Sequence, residues 1–164
     1  MTNPLQRVPD FQLLLHEQQY RAVGHMVVQW AFLEGEINSE IAGLLSRSEH
    51  RGKSVNFQSR FSARANEWIK LARRSYKKHP SRIKAVERII GHANNIKPER
   101  DDIVHGGLAG SGLFFKLRNG RTMDISDFIG EAPHIEDLAC RISTINAEIF
   151  RHQQQLRKHY RKVH

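Results

Sequence analysis

Apolar residues recur at three- and four-residue steps over most of the chain, the spacing of amphipathic helices. Over 17–46 the line is Val23, Met26, Val27, Trp30, Leu33, Ile37, Ile41, Leu44 and Leu45, with Gln29, Glu34, Glu36, Asn38 and Glu40 between them. This predicts one long first helix. The polar stretch 46–56, which holds Gly52, predicts a loop. A second helix is expected over 57–78 on Phe57, Phe61, Ala65, Trp68, Leu71 and Ala72. His79-Pro80 ends it, because the residue before proline disfavours the helical conformation. Ser81 is the expected cap of a third helix carried by Ile83, Val86, Ile89, Ile90, Ala93 and Ile96. Pro98 either kinks that helix or opens a short new one, which Gly106-Gly107 ends. A last helix over 134–160 turns Ile135, Leu138, Ala139, Ile142, Ile145 and Ile149 inward.

Between the third helix and the last, the period changes. Leu113-Phe114-Phe115-Lys116-Leu117 and Thr122-Met123-Asp124-Ile125 flank Asn119-Gly120, a strong hairpin-turn signal. The pattern as a whole predicts an all-α fold: an up-and-down bundle of four to five helices with a small β-hairpin insertion at about 113–125. A two-stranded hairpin is marginal alone, so it must lean on the bundle or on a partner.

At 164 residues, the chain suits a single domain over 1–164. Pro4 and Pro9 make 1–12 a loose N-terminal arm, and 151–164 is a basic helix end. Hydrophobic residues are 39% and charged residues 26% of the chain, a balance that excludes wholesale disorder and collagen. No apolar run reaches the roughly 18 residues of a membrane span. The start lacks the apolar core of a signal peptide. Cys140 stands alone, which excludes an intrachain disulfide and a thiolate-rich zinc site. A cytoplasmic location without membrane attachment is the expectation. Cys140 is expected buried and inert on the last helix, and the scattered histidines, His152 among them, on the surface.

The net charge is +9, and residues 60–100 account for all of it, with twelve Lys/Arg against three acids. Basic patches of this kind attract polyanions, above all nucleic acid; a solvated helix face is the plainer account. Arg73, Arg74, Lys77 and Lys78 are the candidates for RNA-backbone contacts.

One segment carries candidate chemistry, Glu99-Arg100-Asp101-Asp102-Ile103-Val104-His105-Gly106. Arg100 offers a permanent charge with a fork that fits phosphate oxygens. Asp101 and His105 are four apart and share a helix face, so the carboxylate could orient the imidazole. Read structurally, Arg100 pairs with a neighbouring acid (Glu99, Asp101 or Glu34), and His105 caps carbonyls. Asp101, Asp102 and His105 lack the further ligands that a divalent metal would need, so no metal and no cofactor is expected.

Arginine, a polar residue, three more residues and then histidine-glycine resembles the Rx4-6H motif of HEPN domains, here Arg100, Asp101 and His105. A first helix with Trp30, Leu33 and Glu34 is also similar to that of many such domains. The resemblance implies a small helical bundle and a metal-independent endoribonuclease, a toxin or phage-defence effector with a possible cognate antitoxin. It further implies a homodimer with a composite active site at the interface. In that reading Arg100 steadies phosphate charge, His105 moves protons and Asp101 orients His105. The ribose 2′-hydroxyl attacks the phosphate, leaving a 2′,3′-cyclic phosphate and a 5′-hydroxyl. The alternative is a non-catalytic HEPN-like module that binds RNA or a partner protein. A DNA-binding protein fits less well, because no helix-turn-helix spacing is evident.

Overall fold

The computed structural model describes residues 17–47, 52, 54–57, 59–105 and 131–160, with the strand backbone at 107–108, 114–118 and 122–128. The arm 1–12 and the turn at Asn119-Gly120 lie outside the described residues. Four helices form the body: α1 (Glu17–Leu45), α2 (Phe61–Ser75), α3 (Pro80–His105) and α4 (Ala132–Tyr160). The fold is helical, and among the described residues no helix is long and apolar enough to cross a membrane.

Local chemistry sets the helix ends. The expected second helix loses its first turn: 57–60 precede α2, and Phe57 stays 40% exposed. At the other end the Tyr76 N–H donates to the Ala72 carbonyl at 2.8 Å and closes the last turn. Pro80, rather than a residue after a Ser81 cap, is the first residue of α3. That position needs no N–H, and the fixed φ of proline suits it. The Arg82 N–H then donates to the His79 carbonyl at 3.0 Å. Pro98 neither ends α3 nor starts a new helix, since α3 continues to His105. The bond lost is the one to the Asn94 carbonyl, and Asn94 is exposed to water.

Helix directions follow from cross-helix contacts. The Trp30 and Phe61 rings lie 4.9 Å apart near the start of α2, and the Arg47 guanidinium sits 5.2 Å over the Tyr76 ring at its end. These contacts make α1 and α2 parallel. Along α4, Glu136, Asn146 and Gln153 bond His25, Gln29 and Glu36 in the same order, so α1 and α4 are also parallel. α3 alone runs the other way: Arg73 pairs with Glu87 across α2 and α3 at 2.7 Å, while Glu99 meets His134 and Arg141. The bundle is therefore not up-and-down. The physical reason is the length of 46–60. Fifteen residues can span about 50 Å extended, and α1 from Leu45 back to the level of Trp30 is only about 22 Å.

Among the described residues the core is one cluster. Met26, Trp30, Leu33, Ile37 and Ile41 of α1 meet Trp68 and Leu71 of α2, Val86, Ile89 and Ile90 of α3, and the expected inner line of α4. Three side chains depart from their expected places. Val27 is 41% exposed, and Cys140 is exposed, not buried. His152 is buried rather than on the surface, because its spacing from Ile149 and Leu156 puts it on the core line of α4. Its ring meets Trp68 and Tyr76 edge-on at 6.4 and 6.1 Å.

Between α3 and α4 the backbone forms three short antiparallel strands, β1 (Gly107–Leu108), β2 (Phe114–Arg118) and β3 (Thr122–Phe128), in the order β1-β2-β3. Lys116 is opposite Asp124 and Arg118 opposite Thr122, with an irregularity between Phe115 and Lys116. β2 lies against α3.

Candidate functional site

The C-terminal third of α3 crosses α1 and the first turn of α2. There Trp30, Glu34, Arg60, Phe61, Ser62, Lys97, Arg100, Asp101 and His105 line one pocket of about 320 Å³. Arg100 and His105, singled out by their spacing, are thus brought together. The fold adds Lys97, Arg60, Trp30 and Glu34.

Arg100 is held by two groups. Its guanidinium lies over the Trp30 ring, 5.2 Å from the centroid, a cation–π contact with the aromatic face. Its Nη1 donates to Asp101 Oδ1 at 2.9 Å. Its buried Nε has no hydrogen-bond acceptor among the described residues. An unpaired buried donor costs roughly 1–3 kcal/mol, a cost relieved when an oxygen acceptor enters.

Asp101 is shared between Arg100 and Lys97. Burial pushes its carboxyl upward, but hydrogen bonds from Lys97 and Arg100 and their charges prevail and hold it below the usual carboxylate range. In the structure the Asp101 carboxylate orients Arg100, and among the described contacts it has no bond to His105. His105 closes α3 and is exposed at the pocket.

The opposite wall is set by a buried cation. Arg64 pairs with Glu34 at 2.8 Å and donates to Asn38 Oδ1 at 3.2 Å and the Phe57 carbonyl at 3.4 Å. These bonds tie α1 to α2 and present Glu34, about one-third exposed, to the pocket. Glu34 was expected as a possible partner of Arg100; its partner is Arg64.

The expected RNA-backbone group lies elsewhere. Arg74, Lys77 and Lys78 are exposed beyond the middle of α2, and Arg73 is engaged by Glu87. Phe61, at the pocket, is thirteen residues from Arg74, about 20 Å along the helix axis. Among the described residues no three His, Cys, Asp or Glu side chains converge as a metal ion would require.

Of the residues the sequence did not single out, Lys97 had a visible signal, four residues before Asp101 on the same helix face. Arg60 had none, since its place depends on where 46–60 returns the chain.

No protein-family model, no characterised protein and no solved structure gives a significant match to the chain.

Proposed function

We propose that this protein is a metal-independent endoribonuclease and that the pocket at the end of α3 is its active site. The observation that carries this reading is the convergence of Arg60, Lys97, Arg100, His105 and Glu34 on one pocket. Three permanent cations suit a phosphodiester, and an exposed imidazole suits proton transfer near neutral pH.

RNA brings its own nucleophile. In the proposed step the 2′-oxygen attacks the phosphorus and gives up its proton, the bond from phosphorus to the 5′-oxygen breaks, and that oxygen takes a proton from His105. Arg100 and Lys97 balance the charge that gathers on the phosphorane oxygens. The sequence alone left one histidine per chain, and so called for a second copy of His105 across a composite dimer site. Glu34, on the wall of the same pocket, is a nearer proton acceptor, and we assign it that role. The products are a 2′,3′-cyclic phosphate and a 5′-hydroxyl. Arg74, Lys77 and Lys78 would engage the RNA backbone at a distance from the cut.

Glu34→Gln tests the assignment beside a substrate whose 5′-leaving oxygen is replaced by sulfur. Sulfur leaves without an acid, so this substrate restores His105→Ala and leaves Glu34→Gln slow. Equal rescue of both variants would contradict the roles. The same reading extends to a growth-restricting toxin or defence effector with a cognate antitoxin. Expression should then slow growth for wild type and not for His105→Ala.

One observation favours the alternative, a non-catalytic module that binds RNA or a partner. Arg100 is already engaged by Asp101 and Trp30, as in a structural ion pair. That reading predicts salt-sensitive RNA binding with no cleavage.

A further inference from the structure

Where α3 packs against α4, the bundle holds a small polar cavity of about 100 Å³. Arg88 of α3 and Glu148, Arg151, His152 and Gln155 of α4 line it. It shares no residue with the pocket at the end of α3. Arg88 and Arg100 are twelve residues apart, about 18 Å along the helix axis. The proposed cleavage step does not use this cavity.

Two polar atoms of its lining are buried with no hydrogen-bond partner among the described residues, His152 Nε2 and Glu148 Oε2. His152 is only 4% exposed. A buried polar group left unpaired costs roughly 1–3 kcal/mol, and a ligand in the cavity relieves both. The two carboxylate oxygens of Glu148 face different ways. Oε1 lies 3.3 Å from His92 Nδ1, outside the cavity, and Oε2 lies 3.4 Å from Arg88 Nε, on the cavity side. Arg88 and Arg151 are both exposed. The Arg151 Nε donates to the Ala147 carbonyl at 3.2 Å, which leaves the terminal nitrogens of its fork to a ligand.

These groups select their ligand. Two guanidinium forks suit phosphate oxygens. A neutral imidazole can carry its proton on Nε2 and donate it, whereas an ionised carboxylate only accepts. Glu148 therefore opposes a fully ionised oxyanion and bonds one that still carries a proton. Two arginines against one glutamate leave a single positive charge, the complement of a singly charged anion. We propose that this cavity binds a protonated phosphate, either inorganic phosphate or a terminal phosphomonoester. Arg88, Arg151 and His152 donate to its oxygens, and its P–OH donates to Glu148 Oε2. Sulfate at neutral pH and a phosphodiester inside a nucleic acid carry no such proton, so the site discriminates against both. The inference is independent of the ribonuclease reading.

The imidazole NMR signals of His152, assigned with His152→Gln, report on this cavity and not on the pocket at the end of α3. The titrations use the full chain at constant ionic strength and about pH 6, near the second pKa of a phosphomonoester. Inorganic phosphate should shift these signals to saturation in wild type and in Arg100→Ala, and leave them unmoved when Arg88→Ala and Arg151→Ala are combined. Sulfate should bind wild type about tenfold or more weakly, the loss of one charge-assisted hydrogen bond. In Glu148→Gln, whose amide donates to either anion, sulfate should approach phosphate. Signals unmoved by phosphate, equal saturation of wild type by sulfate, or binding that survives loss of both arginines would overturn the inference. Short DNA with a 5′-phosphate or a 5′-hydroxyl separates the two sources. Tighter binding of the 5′-phosphate than of inorganic phosphate assigns the site to a chain end, and no such advantage assigns it to the free ion. Equal binding of the 5′-hydroxyl chain would contradict the need for a P–OH.

Discussion

Both sides of α1 carry large apolar residues, and these have opposite fates. On the inner side Leu33 is fully buried and Trp30 is covered by the Arg100 guanidinium. On the outer side, one residue from Leu33, Phe32 is among the most exposed large apolar residues described. An apolar residue becomes core only where another element lies over it. α2, α3 and α4 between them cover just one side of a helix that is apolar on both. The covered side also carries the polar chemistry, because Glu34 is fixed there by Arg64 and Arg100 by Trp30.

That contrast can be broken in steps of decreasing size. Leu33→Ala should destabilise the fold by about 3 kcal/mol, as loss of a buried leucine with a residual cavity does; thermal or urea unfolding would show it. Arg64→Met removes the cation that holds Glu34 and ties α1 to α2. Loss of one partner of a fully buried pair costs roughly 3–5 kcal/mol. Glu34 keeps 32% exposure, so about 2 kcal/mol is expected here, read from the urea midpoint.

His152 supplies the next, pH-dependent, step. Burial disfavours its charged form, and the charge of Arg82 adds to this, so its pKa lies below 6.5. As the pH falls below about 6.5, the unfolded chain takes up a proton that the folded chain refuses. Stability should therefore be full above about pH 6.5 and decline on acidification toward the lowered folded value. His152→Leu should flatten that decline in a pH series of melting temperatures. The smallest effect is expected one residue from the first substitution. Phe32→Glu should change the intrinsic stability of the single chain by no more than about 0.5 kcal/mol, as chemical unfolding at low protein concentration would measure.

Much of this was legible from spacing. The helical class, the inner lines of α3 and α4, and the meeting of Arg100 with His105 at a helix end follow from local periodicity and end signals. The parallel run of α1 and α2 does not, because a polar segment of fifteen residues does not encode its direction. Val27 was misplaced since the apolar stripe of α1 is wider than one face can bury. Polarity favours the surface for His152, but its position between Ile149 and Leu156 on α4 puts it in the core. The bond from Asp101 went to Arg100 and Lys97 rather than to His105, because permanent cations compete better for a carboxylate than an imidazole does. Glu34 was expected only as an ion-pair partner of Arg100; the packing of α2 against α1 gives it to Arg64 and puts it on the pocket wall.

The central claim is that the pocket at the end of α3 cuts RNA without a metal. The most direct measurement incubates wild type and His105→Ala with single-stranded and structured RNA in the presence of EDTA, and maps the product ends. Cleavage by wild type leaving 2′,3′-cyclic phosphate ends, with a loss of roughly 10²–10⁴-fold in His105→Ala, is the predicted result. Intact RNA with wild type, or equal cleavage by both proteins, would contradict it.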